Sequence, residues 1–549
     1  MKRRNVTILV AGLMLTACAS QRGEEPAAKQ VDEATFRRHL AALSSDEFEG
    51  RKPATRAEEK TVEYIRQQFE AVGLKPGNGA TYYQSVPLVE ITANPEMALA
   101  VSRGGDELKF KYTDDMVAWT KRVAPSAALE QSELVFVGYG IVAPEYGWDD
   151  YAAADIKGKT AVILINDPGY VTEDPKLFGG KAMTYHGRWT YKFEEAARQG
   201  AAGALIIHDT GPAAYGWDVV VSSWSGPQLD QVSADGNAGR VAVEGWINGA
   251  AAEAIFRLAG QDLAALKAAA VQRDFKAVPL DVRGSVTINN AIRRSNSSNV
   301  IGILPGSEHP DEYVLYMAHW DHLGRSLAKT GDTIFNGAID NATGVSGLIT
   351  LAEAFGSSQP RPERSIVFLA VTAEESGLLG SGYYAGHPVF PLERTVAAIN
   401  MDALYAGGPT RDVAVIGYGS SELEEYLSEA AKAQDRVLKP EPTPERGFFY
   451  RSDQFNLAKK GVPVVYTKLG TDDREHGAAW GKQQQDDYVA QRYHKPSDEY
   501  AADIDFRGSL DDLELFFAVG YRLSRENDWP NWYDGNEFRA ARDASDEAR

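Results

Sequence analysis

Three apolar runs in the middle of the chain each end in polar side chains that can bind metal ions. The runs cover residues 314–318, 365–373 and 396–400, and each predicts a buried β-strand. In an open α/β sheet, ligands collect at the carboxyl ends of the strands, so the residues that follow these runs are expected at one shared site. Those residues are His319, Asp321, Glu374, Glu375 and Asp402.

A further acid lies between the first two of these runs. Residues 337–344 form a turn bracketed by Gly337 and Gly344, and this turn carries Asp340. The whole stretch from residue 313 to residue 402 therefore predicts the strand-end floor of a two-metal hydrolase site.

The rest of the chain shows two kinds of sequence pattern. The spacing of apolar residues predicts helices over 31–43, 55–72 and 510–523. From about residue 95, strand-like runs separated by Gly, Pro and Asp dominate. Near residue 296 the pattern of alternating strands and helices resumes. We predict an α/β fold, a mixed central sheet flanked by helices, with a strand-rich insert. The predicted boundaries are 31–94 and 291–549 for the two parts of the catalytic body and 95–290 for the insert.

The first residues have the layout of an export signal. Three basic residues at 2–4 precede the apolar run 6–17, which is too short for an ordinary membrane span. Residues 15–18 resemble a bacterial lipobox, which implies a signal peptide over 1–17, a lipid on Cys18 and a tether over 18–30. We therefore expect an exported lipoprotein held on a membrane by this lipid. Ala19 after the cysteine favours the outer membrane, with the folded body facing the periplasm or the cell surface.

Length and charge narrow the classes of function. A chain of 549 residues exceeds the size of a usual single core, so two domains are expected. With 77 acidic and 57 basic residues the net charge is -20, which disfavours nucleic acids and anionic lipid surfaces as partners. Cys18 is the only cysteine, so the chain forms no internal disulfide, and stability must come from the core and bound metals.

The candidate ligands suit hard divalent metals. Zinc accepts nitrogen from His and oxygen from Asp and Glu, and manganese or cobalt would accept the same set. Two zinc ions close together need a bridging ligand, for which a carboxylate with two oxygens is suited. The candidates are His319, Asp340, Glu374, Glu375, Asp402 and His494.

Six segments carry a resemblance to a known family: 318–321, 337–341, 372–381, 400–402, 452–455 with 461–463, and 493–494. In this order along the chain they resemble the motifs of the M28 family of zinc aminopeptidases. In the insert, residues 135–140, 155–159 and 200–207 resemble a protease-associated domain.

The resemblance implies a role for each candidate. It assigns His319 and Asp402 to one zinc, Glu375 and His494 to the other, and Asp340 to a bridging position. Glu374 would be the general base, on the opposite side of an extended chain from Glu375. Tyr493 occupies the place where the family often has a hydroxyl that stabilises the oxyanion, and a packed aromatic ring is the equally weighted alternative.

Two more acids lie close to ligand histidines in sequence. Asp321 follows His319 by two residues and Asp498 follows His494 by four, so each is a candidate to orient an imidazole. The remaining histidines are interpreted as structural or left without a role: His39, His186, His208, His309, His322, His387 and His476.

The resemblance implies a peptidase that removes N-terminal residues from peptides. A carboxypeptidase or dipeptidase on the same fold is an alternative, because related proteins share the metal ligands. Glutaminyl cyclase, another relative, works with one zinc, whereas the full ligand set is present here. A binding protein on an inactive peptidase scaffold should lack a ligand or the base, and none is missing. Specificity, oligomeric state and the role of the insert are not determined by the sequence.

Overall fold

The computed structural model describes residues 31–152, 154–326 and 330–546. The signal peptide, the tether and Cys18 lie outside these residues. Within them, no helix combines the length and apolar character needed to cross a membrane. The first segment of the fold contains helices α1 (Glu33–Leu43) and α2 (Arg56–Ala71) and strands β1 (Lys75–Pro76) and β2 (Tyr83–Ala93).

The strand-rich region follows directly. Its strands are β3 (Ala98–Arg103), β4 (Asp106–Lys111), β5 (Met116–Trp119), β6 (Ser126–Phe136), β7 (Val142–Ala143), β8 (Trp148–Asp149), β9 (Thr160–Leu164), β10 (Gly203–Ile207), β11 (Pro227–Gln231) and β12 (Val243–Ile247). Its helices are α3 (Pro168–Thr172), α4 (Trp189–Arg198), α5 (Thr210–Ala213), α6 (Trp217–Trp224), α7 (Gly249–Leu258) and α8 (Leu263–Ala270).

The last segment returns to alternating strands and helices. Its strands are β13 (Val278–Leu304), β14 (His309–His319), β15 (Gly324–Arg325), β16 (Ile334–Phe335), β17 (Arg364–Val371), β18 (Thr395–Asn400), β19 (Asp412–Val415), β20 (Val437–Pro440) and β21 (Val464–Leu469). Its helices are α9 (Thr343–Ser357), α10 (Leu379–Gly386), α11 (Leu423–Ala433), α12 (Gln454–Ala458), α13 (Ala478–Gln491), α14 (Arg507–Leu523) and α15 (Arg539–Asp546).

The central sheet of the body is mixed, as predicted. Its hydrogen-bonded order is β2-β13-β17-β14-β18-β21, in which β13 is antiparallel to β2 and β17 and the last four strands are parallel. The register places His319 opposite Val371 and Met317 opposite Asn400, so β14, β17 and β18 end at one level. The predicted α/β fold with a mixed sheet flanked by helices is confirmed.

The parallel strands are buried on both faces, which explains their continuous apolar sequences. In β14, Val314 and Tyr316 pack in a core with α1 and α9, whereas Leu315 and Met317 pack in a second core on the opposite face. A run that is apolar at every position fits this two-sided burial and would not fit a sheet with one face in water.

Strand β13 links the strand-rich region to the body. Its first part pairs with β6 and β3, its middle with β2 and its last residues with β17. The predicted insert boundary at residue 290 falls inside this strand, and the division into domains stays a prediction. Helix α13 was not predicted, because only Gly481 and Tyr488 are buried in it and it has no apolar stripe.

Candidate metal centre

The ends of β14, β17 and β18 bring imidazole and carboxylate groups together. His319 is the last residue of β14, and its Nε2 lies 3.6 Å from Oδ1 of Asp402, two residues beyond β18. Beyond β17 the chain turns at Ala373, which has a left-handed φ of 52° and leads into Glu374 and Glu375. The ends of β14, β17 and β18 therefore bring these side chains together.

Asp340 lies between the two ligand histidines. It precedes α9, in the turn that the glycine pattern predicted. Its Oδ1 is 3.3 Å from Nε2 of His319, and its Oδ2 is 3.2 Å from Nε2 of His494. One carboxylate thus faces a different imidazole with each oxygen, which is the arrangement expected of a ligand shared by two ions.

His494 completes the cluster from a distant part of the sequence. Its Nε2 lies 3.1 Å from Oε2 of Glu375, yet this nitrogen is buried and has no hydrogen-bond partner among the described residues. Burial lowers the pKa of His494, but the carboxylates of Glu375 and Asp340 outweigh burial and raise the pKa to about 11. The cluster therefore favours a bound cation, and its nitrogen and oxygen donors suit zinc.

The two adjacent glutamates belong to different groups. One oxygen of Glu374 lies within 4.8 Å of donor atoms on His319 and Asp402, whereas Glu375 groups with Asp340 and His322 in the same way. Burial, reinforced by Asp402 and Glu375 against the effect of His319, raises the pKa of the Glu374 carboxyl well above its usual value. Against burial, the charge of His494 lowers the pKa of Glu375 to about 2. The pKa values of the two adjacent carboxyl groups are thus shifted in opposite directions.

His322 is part of the cluster, although sequence reasoning left it without a role. Its Nδ1 is 2.6 Å from Oε1 of Glu375, and its buried Nε2 has no hydrogen-bond partner in the described chain. The available signal was its position three residues after His319 in the same polar strand end. That position alone does not tell which of two neighbouring imidazoles points toward the ligands.

Asp321 orients the glutamate pair more directly than the imidazole of His319. Its carboxylate accepts hydrogen bonds from the backbone N–H groups of Glu374 at 3.0 Å and Glu375 at 3.4 Å. The nearest carboxylate oxygen is 3.9 Å from Nδ1 of His319, whereas the backbone carbonyl of Asp321 is 3.2 Å from that nitrogen. The expected contact with His319 is therefore made by the backbone carbonyl of Asp321, because the carboxylate of Asp321 accepts hydrogen bonds from the two backbone N–H groups.

Asp498 has a different partner from the one expected. Its Oδ2 accepts hydrogen bonds from the N–H groups of Ile339 at 3.0 Å and Asp340 at 3.1 Å, and Arg492 lies 3.4 Å from its Oδ1. No contact with the His494 imidazole is present among the described residues. Asp498 therefore fixes the turn that carries Asp340, because the fold brings its loop onto this turn.

Tyr493 packs on the neighbouring ligand. Its ring stacks on the His494 imidazole with 3.9 Å between the ring centres, and the residue is 42% exposed. Its hydroxyl has no hydrogen-bond partner in the described parts of the chain, so both predicted roles, packing and donation to an oxyanion, remain open. A second hydroxyl, which the sequence did not indicate, is that of Tyr466, which donates to Oδ2 of Asp402 at 3.4 Å.

A buried arginine holds the surrounding loops. Arg51 is 1% exposed and donates to the backbone carbonyls of Trp320 and Gly337. Burial lowers its pKa to about 10, and the opposing charges of Asp340 and Asp498 limit the shift. Arg51 thus links the segment after α1 to the turn after β14 and to the turn that carries Asp340.

An α/β sheet whose parallel strands end in a buried cluster of imidazoles and carboxylates is typical of metal-dependent hydrolases. Comparison of the sequence with known families gives the same class. Residues 299–513 match the model of peptidase family M28.

Curated relatives cover shorter stretches. The chain is 36% identical over 122 residues to aminopeptidase NAALADL1 of Mus musculus, which is 21% of this chain and 15% of that protein. It is 31% identical over 196 residues to a glutamate carboxypeptidase 2 homolog of Caenorhabditis elegans, covering 34% of this chain and 23% of that protein. The chain thus spans less than a quarter of the length of either relative.

Among solved structures, an aminopeptidase from Aneurinibacillus sp. strain AM-1 superimposes with a TM-score of 0.49 at 19% identity. The superposition covers 89% of this chain and 93% of that one.

Proposed function

We propose that the protein is a zinc-dependent aminopeptidase that removes N-terminal residues from peptides, using two metal ions and Glu374 as the general base. The observation that carries this proposal is the position of Asp340, whose two oxygens each face a different imidazole. The match of residues 299–513 to peptidase family M28 supports the peptidase class.

The residues fit two zinc ions. His319 and Asp402 would hold one ion, His494 and Glu375 the other, and Asp340 would be shared; His322 is an additional donor beside Glu375. Manganese or cobalt would be accepted by the same donors. When bound, the ions would supply Lewis acidity, which brings the pKa of water from about 15.7 to about 7.

The chain's own residues would move the proton and stabilise charge. The Glu374 carboxylate makes no hydrogen bond in the described chain, so it is free to take a proton from water and return it to the departing amine. Asp321 holds Glu374 in place through the backbone. The Tyr493 hydroxyl, which has no hydrogen-bond partner in the described chain, is a donor available for an oxyanion, whereas that of Tyr466 already donates to Asp402.

The excess of carboxylates favours a substrate with a free amino group. Asp453 is fully buried beside the cluster, where burial raises the pKa of its carboxyl to about 7. Together with Glu374 it adds acid beyond the groups that would hold the metals, and such a surplus suits an α-ammonium group. A carboxypeptidase or dipeptidase is the second candidate, which the similarity to a glutamate carboxypeptidase 2 homolog supports.

Cleavage of matched peptides with free and acetylated N-termini tests the proposal, with the metal content of the purified protein measured in parallel. We expect about two zinc ions per chain and cleavage of the free peptides only. Equal cleavage of both would exclude an aminopeptidase. Release of C-terminal residues from acetylated peptides would indicate the carboxypeptidase, and binding without cleavage would indicate a non-catalytic protein.

We further propose that the protein is exported and anchored in the outer membrane by a lipid on Cys18, and that residues 95–290 form a protease-associated domain. The support for the anchor is the basic and apolar layout of residues 2–18. Incorporation of radiolabelled palmitate into the wild type and its loss in Cys18→Ala would agree with the anchor. Equal labelling of both proteins would exclude it.

A further inference from the structure

Strand β11 lies in the strand-rich region of the sequence but pairs with the central sheet of the body. It runs antiparallel to β2, with Gln231 opposite Leu88. The side chain of Leu229 packs against a small buried apolar cluster that includes Ala373 and Leu379. Because Ala373 directly precedes Glu374, this packing lies one residue along the chain from the proposed base.

The same strand makes a polar contact with α10. The side-chain amide of Gln231 donates to the backbone carbonyl of Leu379, the first residue of this helix. The N–H groups of Gly377 and Leu378, which lead into α10, donate to the carbonyl of Glu374 at 2.9 Å. Strand β11 therefore supports the turn that carries the two adjacent glutamates.

A second contact joins α4 of the strand-rich region to α12 of the body. Lys459 directly follows α12, and its Nζ lies 3.3 Å from Oε1 of Glu194 and donates to the Tyr185 hydroxyl at 2.8 Å. The Tyr185 hydroxyl in turn donates to Glu194. The rings of Tyr185 and Phe455 also pack, with 4.9 Å between their centres. Charge and packing thus hold the end of α12 against the strand-rich region.

Helices α10 and α12 are joined to each other by side-chain hydrogen bonds. Asn456 of α12 donates to the hydroxyl of Ser381 at 2.9 Å and to the backbone carbonyl of Leu378 at 3.0 Å. Ser381 belongs to α10, and its hydroxyl donates to Asp453 at 2.6 Å. The two helices therefore form one packed unit, which the strand-rich region contacts at both helices.

This unit of two helices also contacts the end of β18. Asn400, the last residue of β18, donates to Oε1 of Gln454 at 2.7 Å and to the hydroxyl of Ser452 at 2.8 Å. Asp402 follows two residues later. A shift of α12 would therefore be transmitted to Asp402 and, through α10, to Glu374.

We propose that the strand-rich region positions the catalytic turn of the body by holding α10 and α12 at two points, through Gln231 at the first and through Glu194 and Lys459 at the second. These are positioning residues, because they act on the reaction through the turn that carries Glu374. A misplacement of a reacting group by about 1 Å lowers a rate by about 100-fold. This inference rests on the proposed peptidase function.

Substitutions that keep side-chain size test the two contacts. Lys459→Met removes the ion pair, and Gln231→Met removes the donor to Leu379. With Leu-Ala amide as substrate, we expect each variant to lower kcat about 10-fold and to change KM less than about twofold, because the base moves. Adding Glu194→Ala to Lys459→Met should lower kcat no further, since both substitutions remove one interaction.

The neighbouring glutamate of α4 is the matched control. Glu195 pairs with Arg198 of the same helix at 2.7 Å, within the strand-rich region. Glu195→Ala should therefore lower the melting temperature and leave kcat per folded molecule unchanged, whereas Glu194→Ala should lower kcat and Glu194→Gln should recover part of it. Equal losses of kcat in Glu194→Ala and Glu195→Ala, or wild-type kcat in both Lys459→Met and Gln231→Met, would overturn the positioning role.

Hydrogen exchange separates this proposal from the proposed activity. Mass spectrometry of the full chain follows the backbone amides of residues 377–386. We expect them to exchange about 10-fold faster in Lys459→Met and Gln231→Met and at the wild-type rate in Glu195→Ala. This result supports the positioning role even if no peptide is cleaved, which would reject only the peptidase. Peptide cleavage with wild-type kcat and unchanged exchange in both methionine variants would reject only the positioning role.

Discussion

The molecule has two regions in which polar side chains follow parallel buried strands, and they differ in how those side chains are satisfied. In the body, β14, β17 and β18 lead to the metal cluster. In the strand-rich region, β9, β10 and β12 are also parallel, and they are followed by polar residues in the same way. Those residues are Asn166, Asp167, His208 and Asn248.

The strand ends of the second region are engaged within the fold. Asp167 accepts hydrogen bonds from the N–H of Gly169 at 3.0 Å and from the N–H and hydroxyl of Thr184. Asn248 accepts from the N–H of Ala251 at 2.8 Å and so caps α7, and Nε2 of His208 lies 3.0 Å from the carbonyl of Tyr215. These polar residues begin helices and close turns, which are structural tasks.

The metal centre at the strand ends of the body, with the residues packed beside it, retains unused donors and acceptors. Nε2 of His494, Nε2 of His322 and Oδ2 of Asp453 are buried without partners within the described ranges. The comparison teaches that a strand end with polar residues marks a candidate site, whereas buried donors and acceptors that have no partner distinguish a ligand site from a structural cluster.

The largest expected effect is a loss of catalytic activity on substitution in the metal centre of the body. Glu374→Gln should lower kcat about 1000-fold, because the amide cannot accept the proton of water. The variant should keep its metal content and its melting temperature, since the carboxylate supports no hydrogen bond in the described structure. Steady-state kinetics and metal analysis measure these outcomes, and substantial residual turnover would place the base elsewhere.

Much of this contrast could be predicted from local sequence. The apolar runs before His319, Glu374 and Asp402 and the glycines around Asp340 are patterns of adjacent residues. His494 carries no such pattern, and only the resemblance to a family indicated it. Helices α1, α2 and α14 agree with the predicted ranges because each has an apolar stripe.

Long-range contacts explain what the sequence could not show. The carboxylate of Asp498 meets the backbone of Asp340, 158 residues away, and no spacing rule connects them. Tyr466 lies inside β21, where an aromatic residue is ordinary, so its contact with Asp402 had no signal. The continuity of β13 through both regions depends on its pairing with five strands, namely β1, β2, β3, β6 and β17.

The second prediction concerns the strand-rich region, where a substitution should lower stability and leave turnover unchanged. Asp167→Ala should destabilise the protein by about 3 kcal/mol, because it leaves the buried N–H of Gly169 and the half-buried N–H of Thr184 without acceptors. Turnover of peptide amides per folded molecule should not change. Denaturant unfolding and kinetics at low temperature measure both quantities. Loss of bound metal without loss of stability would break the comparison.

The third prediction concerns the support of the shared ligand. Asp498→Ala removes the acceptor for the N–H groups of Ile339 and Asp340, so the affinity for zinc should fall about 10- to 100-fold. Competition with a chromophoric chelator measures the affinity. Asp498→Asn is the control, since its amide oxygen can still accept and should restore part of the binding. Wild-type affinity in the alanine variant would show that the turn holds Asp340 unaided.

The last prediction compares two kinds of buried histidine. Unlike His494, His39 is buried beside a cation: burial and the charge of Arg38, opposed by Glu353, lower its pKa to about 4. Its Nδ1 lies 2.7 Å from the Tyr64 hydroxyl, so the neutral ring is satisfied. The unfolded chain takes up a proton near pH 6.5 and the folded chain only near pH 4, so stability present above pH 6.5 is lost as the pH falls.

At pH 5 this difference should cost the wild type about 2 kcal/mol relative to pH 7.5. His39→Gln cannot be protonated, so it should lose correspondingly less over the same interval, although it is less stable at pH 7.5. Urea unfolding of both proteins with metal removed by a chelator measures the difference, because ligand protonation then contributes equally to both. An identical pH dependence of the two proteins would mean that His39 is protonated in the folded protein. In that case burial beside Arg38 would not lower its pKa, and His39 would not differ from the ligand histidines in this respect.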